Sequence, residues 1–237
     1  MSVGLIAALP AEIHCLTHAS PALNIPFAIN PQLTGIVCGI GAHHAEAAVK
    51  ALLQLKIKAL ISWGTAGALS PELRSGDLLL PEKILTGDGT CIVTDKPWLE
   101  RIRNTLQQTA ITIHSGPLTD TKEILSAVTQ KQELHARTGA IAADMETAVI
   151  MKNAALEKIP CIAIRSVVDE ADMAMPESLL RHIDSMGRPE PAGLLLEMCR
   201  SPRLLGTLWR LGLAMHRATS TLKAVARRTD SVLMYGK

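Results

Sequence analysis

Short apolar runs alternate along the chain with longer stretches in which apolar residues recur at helical spacing. VGLIAAL (3–9) has the length and continuity of a buried strand, and residues 35–38 form a second such run. GIGAHHAEAAVKALLQL follows as a loop running into a helix. IKALISW (57–63) predicts a third strand ending in the small-residue loop GTAGAL, and GDLLLPEKIL (76–85) a further one. AITIHSG (110–116) precedes a predicted helix near 121–136, and GAIAAD (139–144) precedes one near 146–157. CIAIRSVVD (161–169) is the last clear strand. This rhythm predicts an α/β fold around a central, mixed but mostly parallel sheet flanked by helices.

The tail differs in pattern. GRPEPAG (187–193) is a turn-rich break. From Met198 to Arg228 there are seven Lys and Arg and no acid. Leu204, Leu208, Leu211, Met215, Ala218 and Leu222 recur at spacings of four and three, while Arg203, Arg210 and Arg217 recur every seven. The segment reads as a basic amphipathic helix. The expected organisation is a catalytic domain over 1–186 and a helical extension over 187–237.

Composition narrows the function classes. With 48% hydrophobic and 19% charged residues, a large core is within reach of the 237 residues and disorder is not expected. A net charge of +2 gives no strong attraction to nucleic acid, and 2% aromatics leave few platforms for base stacking. The five cysteines form no C-x-x-C pair, which argues against zinc ribbons and disulfide frameworks and suits a reducing cytoplasm. No apolar run is long enough to span a bilayer. His43 and His44 are adjacent, and no third ligand stands at a convincing spacing, so no metal site is expected.

Carboxylates stand where the predicted strands end: Glu12, Glu146 and Asp169, with Thr65 at another strand end. In parallel sheets that rim is where ligands sit. An ionised Glu146 at a helix start accepts hydrogen bonds, so diol hydroxyls suit it. Desolvation at the end of a buried strand suits Asp169 to proton donation. Each also has a plainer reading, as a helix-start acid or a turn cap. The glycine turns CGIGAHH and WGTAGAL offer backbone amides to an anion or hydroxyls, or are simply tight turns.

Taken together, GLIAALPAEI, CGIG before a helix, GTAGALSPELRSGDLLLP, ADMETAVI and IRSVVDEAD resemble the purine nucleoside phosphorylase and nucleosidase superfamily over residues 3–175. The resemblance implies that Glu146 binds ribose hydroxyls with Met145 packed on the sugar, that Asp169 protonates the purine ring, and that Glu12 positions water. It implies substrate contacts from Thr65, Gly64, Arg165 and Leu118, with the phosphate or water site at Gly39, Gly41, Thr65 and Arg165. No cofactor is implied beyond inorganic phosphate as co-substrate. The tail resembles the carboxyl extension of hopanoid-associated phosphorylases, which implies adenine release by phosphorolysis of an apolar adenosyl compound such as adenosylhopane, with hydrolysis, as in the methylthioadenosine/S-adenosylhomocysteine nucleosidases, or a catalytically silent membrane-peripheral role as the alternatives. Expected partners are a nucleoside, lipid-linked in that reading, a second copy of the chain, and a membrane surface touched through 200–228. The expected location is the cytoplasm, at the inner-membrane surface in the lipid reading. Three departures stand out. Val168 replaces a serine before the acid, Leu118 and Thr119 replace a stacking aromatic, and no arginine precedes the glycine loop to hold phosphate.

Overall fold

The structure, a computed structural model, describes residues 2–176, 178, 181, 182, 184, 204–228 and 232–236. The break at 187–193 and the start of the basic stretch, including Arg203, lie outside the described residues. Among those described, eleven strands form one mixed sheet. They are β1 (Val3–Ala7), β2 (Phe27–Asn30), β3 (Leu33–Val37), β4 (Ala59–Ala68), β5 (Leu78–Leu79), β6 (Lys83–Leu85), β7 (Cys91–Val93), β8 (Ile113–His114), β9 (Leu118–Asp120), β10 (Ala142–Asp144) and β11 (Cys161–Asp169). The helices are α1 (Pro10–Ile13), α2 (Ala42–Gln54), α3 (Lys96–Leu106), α4 (Val128–Thr138), α5 (Thr147–Leu156) and α6 (Leu204–Ala226).

The long central strands divide the core. Side chains alternate across a strand with period two. On β4 and β11, Leu60, Cys161, Ala163 and Val167 face one hydrophobic cluster, with α2 and α5 supplying Val49, Leu52, Ile150 and Met151. Ile61, Trp63, Ile162 and Ile164 face the other, with Trp98 and Ile102 of α3 and Leu222 and Val225 of α6. The result is a three-layer sandwich of helices, sheet and helices, with most strand pairs parallel, as expected from the sequence.

Several boundaries differ from the sequence expectation. GTAGA is not a loop. It continues β4, because β11 pairs along it through Gly67 and β10 pairs with Gly67 and Ala68. The helix expected near 121–136 starts at Val128. The strands β2, β7 and β9 and helix α3 were not foreseen. Helix α3 carries a clear start signal, with the Asp95 side chain accepting from the Trp98 amide at 2.9 Å and Pro97 in the first turn.

The tail helix α6 packs against β11. It crosses the turn at Gly76, where the Thr221 hydroxyl donates to the Gly76 carbonyl at 2.6 Å. Ala218, Leu222 and Val225 are fully buried there, whereas Leu205, Trp209 and Leu213 on the first half are exposed.

Candidate active site

A gap along one edge of β4 makes the site. Strand β1 pairs with its first half, from Ala59 to Trp63. Strand β10 pairs only with Gly67 and Ala68 at its far end. Between them the Thr65 amide finds a side chain instead of a strand. It donates to Glu12 Oε1 at 2.8 Å, and the Thr65 hydroxyl donates to the same oxygen at 2.9 Å. Helix α1 brings Glu12 there, and its Oε2 accepts from the amides of Ala8 and Leu9 at 3.1 and 3.0 Å. Burial raises the pKa of Glu12, against the opposing charge of Arg165 and the hydrogen bonds of Leu9 and Thr65. Gly64 has no side chain because none fits. A Cβ there would lie 2.5 Å from Glu12 Oε1 and close to the Arg165 guanidinium.

A second group of acids closes the floor. Asp144 ends β10 and accepts from the amides of Glu146 and Thr147 at 3.2 and 3.0 Å and from the Thr147 hydroxyl. It therefore caps the start of α5. Its Oδ2 lies 2.7 Å from Arg165 Nε. Arg165 is buried, and its Nη2 donates to Ser62 Oγ at 2.6 Å and Thr147 Oγ1 at 2.8 Å. Glu146 follows Asp144 and accepts from the Gly41 amide at 2.6 Å. Gly41 holds a φ of +102°, a region open to glycine, which lets that amide turn toward the acid. Burial, then the Asp144 charge, pushes the Glu146 carboxyl up to about 7, with Arg165 opposing. Three acids around one guanidinium hold more negative charge than it balances.

Asp169 stands across the cavity. A register shift between Val167 and Asp169 on β11 pairs Asp169, not Val168, with Gly67 of β4. Its Oδ2 receives Lys131 Nζ at 2.5 Å. Lys131 comes from α4 and is 1% exposed.

Glu12, Thr65, Met145, Glu146 and Asp169 all line one cavity of about 480 Å³. The volume lies within the range that holds a small organic ligand. Lys131, Asp144 and Thr121 also reach it, the other walls are aliphatic or thioether, and Leu208, Leu211 and Met215 of α6 roof it. No metal-ligating group of three or more His, Cys, Asp and Glu occurs among the described residues.

The other residues named from the sequence sit elsewhere. Arg165 does not line the cavity; it lies beneath the floor and holds Asp144. Leu118 is buried in the core between Ala142 and Ile84, and Ile124 and Leu125 reach the cavity instead. The Gly39 amide is bonded to the Ala8 carbonyl at 3.0 Å and the Gly41 amide to Glu146, so neither is free to hold an anion. His43 is exposed, and neither His43 nor His44 is in the lining. Two contributors went unassigned from the sequence. Asp144 was legible as the acid two residues before Glu146, but Lys131 carries no local signal.

Known proteins agree with this architecture. Residues 3–188 match the phosphorylase superfamily. The 5'-methylthioadenosine/S-adenosylhomocysteine nucleosidase of Staphylococcus aureus is 25% identical over 198 residues, covering 72% of this chain and 87% of its own. Among solved structures, the same-named nucleosidase from Neisseria meningitidis, in complex with methylthio-immucillin-A, superposes with a TM-score of 0.73 at 17% identity, covering 97% of this chain and 99% of its own. Futalosine hydrolase of Helicobacter pylori superposes with a TM-score of 0.69 at 16% identity, covering 96% and 97%. On the family match, which spans most of its length, the chain belongs to the phosphorylase superfamily.

Proposed function

We propose that the cavity binds an adenosine-like nucleoside and that the enzyme cleaves its N-glycosidic bond with water. The relatives act as nucleosidases and a hydrolase by name, which supports an enzyme acting on nucleosides. The observation that carries the reading is convergence: Glu12, Glu146 and Asp169 meet at one cavity although they lie far apart in sequence.

The chemistry follows from their positions. The bond from ribose C1′ to purine N9 breaks and its electron pair moves into the base. Asp169, in its acid form, gives a proton to the base nitrogen, so that a neutral purine leaves. Water attacks C1′ and passes a proton to Glu12, whose pKa is raised by burial. Glu146 accepts the ribose hydroxyls and Met145 packs on the sugar. The products are the free base and a 5′-substituted ribose.

Water is favoured over phosphate because the groups suited to an anion are engaged elsewhere. Arg165 serves Asp144, and the Gly39 and Gly41 amides are bonded within the protein. The test is adenine release from methylthioadenosine in phosphate-free buffer and with added phosphate. Equal rates support hydrolysis. A rate that needs phosphate overturns the choice of water, and no adenine in either buffer overturns the nucleosidase reading.

The roof supports a finer assignment. Leu208, Leu211 and Met215 offer hydrocarbon and thioether surface to the far end of a substrate, as an apolar 5′ group like that of adenosylhopane requires. The exposed Leu205, Trp209 and Leu213, with exposed Arg210 and Lys223 and no acid over 204–228, suit an anionic lipid surface. No helix among the described residues is long and apolar enough to cross a membrane. Sedimentation with anionic and neutral vesicles tests this. Binding to anionic vesicles alone supports it, and a stable homodimer that buries this stripe replaces it.

A further inference from the structure

One buried cation takes no part in the chemistry above. Lys131 Nζ has three hydrogens and three acceptors: Asp169 Oδ2 at 2.5 Å, the Glu170 carbonyl at 2.8 Å and the Met173 carbonyl at 3.0 Å. It projects from α4, is 1% exposed, and still reaches the cavity wall. A fully satisfied ammonium in such a place is a built feature, since a buried lysine without partners is costly. It ties one carboxylate oxygen to the turn that follows β11. The neighbour before Asp169 in sequence is Val168, which has no donor.

We propose that Lys131 is a positioning residue that fixes the Asp169 carboxyl and decides which of its oxygens meets the base. Oδ2 stays with the ammonium whatever the protonation state, because a carbonyl oxygen of the acid form still accepts. Oδ1 is left for the proton. That proton comes from solvent as the ligand enters, sits on Oδ1, and bridges to the base nitrogen.

The other charges around Asp169 do not substitute for this cation. Glu12, Asp144 and Glu146 line the same cavity, and Arg165 is paired with Asp144. The Glu170 carboxylate turns away to the Ser75 amide and hydroxyl at 3.2 and 3.1 Å. The cavity-lining residues of α6 and β4 are uncharged.

This proposal rests on the nucleosidase reading, and adenine binding separates the two. Calorimetric titration with adenine, run at pH 6 to 9 in buffers of different ionisation heat, reads both affinity and protons taken up. The wild type is expected to take up one proton per adenine at pH 8, with affinity falling about tenfold per pH unit. In Lys131→Met adenine affinity departs from the wild-type profile and kcat drops more than KM changes, because the ammonium no longer fixes Oδ2. In Asp169→Asn the proton linkage disappears. Adenine binding by the wild type without proton uptake overturns the proposal, as does a Lys131→Met profile that superimposes on the wild type. Proton linkage that survives in Asp169→Asn does the same. If Lys131→Met does not fold by circular dichroism, the wild-type and Asp169→Asn arms decide. A wild type that does not bind adenine at all overturns the nucleosidase reading instead.

Discussion

Glu146→Gln changes a single atom at the floor of the cavity and separates the two things this acid does. Gln keeps an oxygen for the Gly41 amide but removes the charge. In the folded protein the carboxyl is pushed up from 4.5 to about 7, chiefly by burial and then by the Asp144 charge. At about 1.4 kcal/mol per pH unit, that displacement is worth about 3 kcal/mol at most. The sign follows from the direction. A raised folded pKa stabilises the fold where the group is protonated, in full below about 4.5, and that stability is lost as pH climbs through about 7. Gln cannot ionise, so the variant lacks this loss. Between pH 5 and pH 8 the wild type should therefore lose about 2 to 3 kcal/mol relative to Glu146→Gln. For a chain of this size that is a relative shift in Tm of roughly 5 to 10 °C, measurable by scanning calorimetry at the two pH values. Activity runs the other way. The ribose hydroxyls need an ionised acceptor, and losing one charge-assisted hydrogen bond should lower kcat/KM by about 10- to 150-fold at pH 8. Melting curves that stay parallel from pH 5 to pH 8 would show that Glu146 is not held in its acid form, and the account of the acid cluster would fall with it.

Three further substitutions probe the surrounding parts. Gly64→Ala places a methyl 2.5 Å from Glu12 Oε1; it should cut turnover of methylthioadenosine about 100-fold or more by displacing the water-positioning acid, and an unaltered rate would remove Glu12 from the mechanism. Arg165→Met leaves Asp144 buried without its cation and should cost about 3 to 5 kcal/mol in urea unfolding; a loss of activity at full stability would instead make Arg165 a substrate contact. Leu211→Asn puts a polar group in the roof and should weaken substrates with long apolar 5′ groups by about tenfold while sparing adenosine, read as the ratio of their kcat/KM values. Equal loss on both would mean that the roof is scaffolding.

Much of the site was legible because its chemistry sits where secondary structure changes. Glu12, Glu146 and Asp169 each stand at the end of an apolar run, and the parallel sheet gathers such ends on one rim. What the chain order hides is which neighbour each side chain meets. Arg165 reads as an anion binder beside a strand end, but it projects beneath the floor, where Asp144, Ser62 and Thr147 already wait. The small residues after Trp63 read as a loop because glycine and alanine have weak strand preference. Pairing with β11 along one edge, and with β10 at Gly67 and Ala68 on the other, keeps them extended, and close approach of Glu12 and Asp169 explains the glycines. Lys131 was the least legible. On α4 it sits among polar neighbours and reads as a solvated lysine. Only the docking of that helix against the turn after β11 buries it.

The tail helix divides its labour along its length. Ala218, Leu222 and Val225 lock its second half into the core, while Leu208, Leu211 and Met215 line the cavity. Selection can therefore rewrite the cavity-facing positions of the front turns, leaving buried Leu204 and Ala214 in place, at little risk to folding. New substrates become reachable by a few changes in one segment, with the acids that line the cavity left untouched.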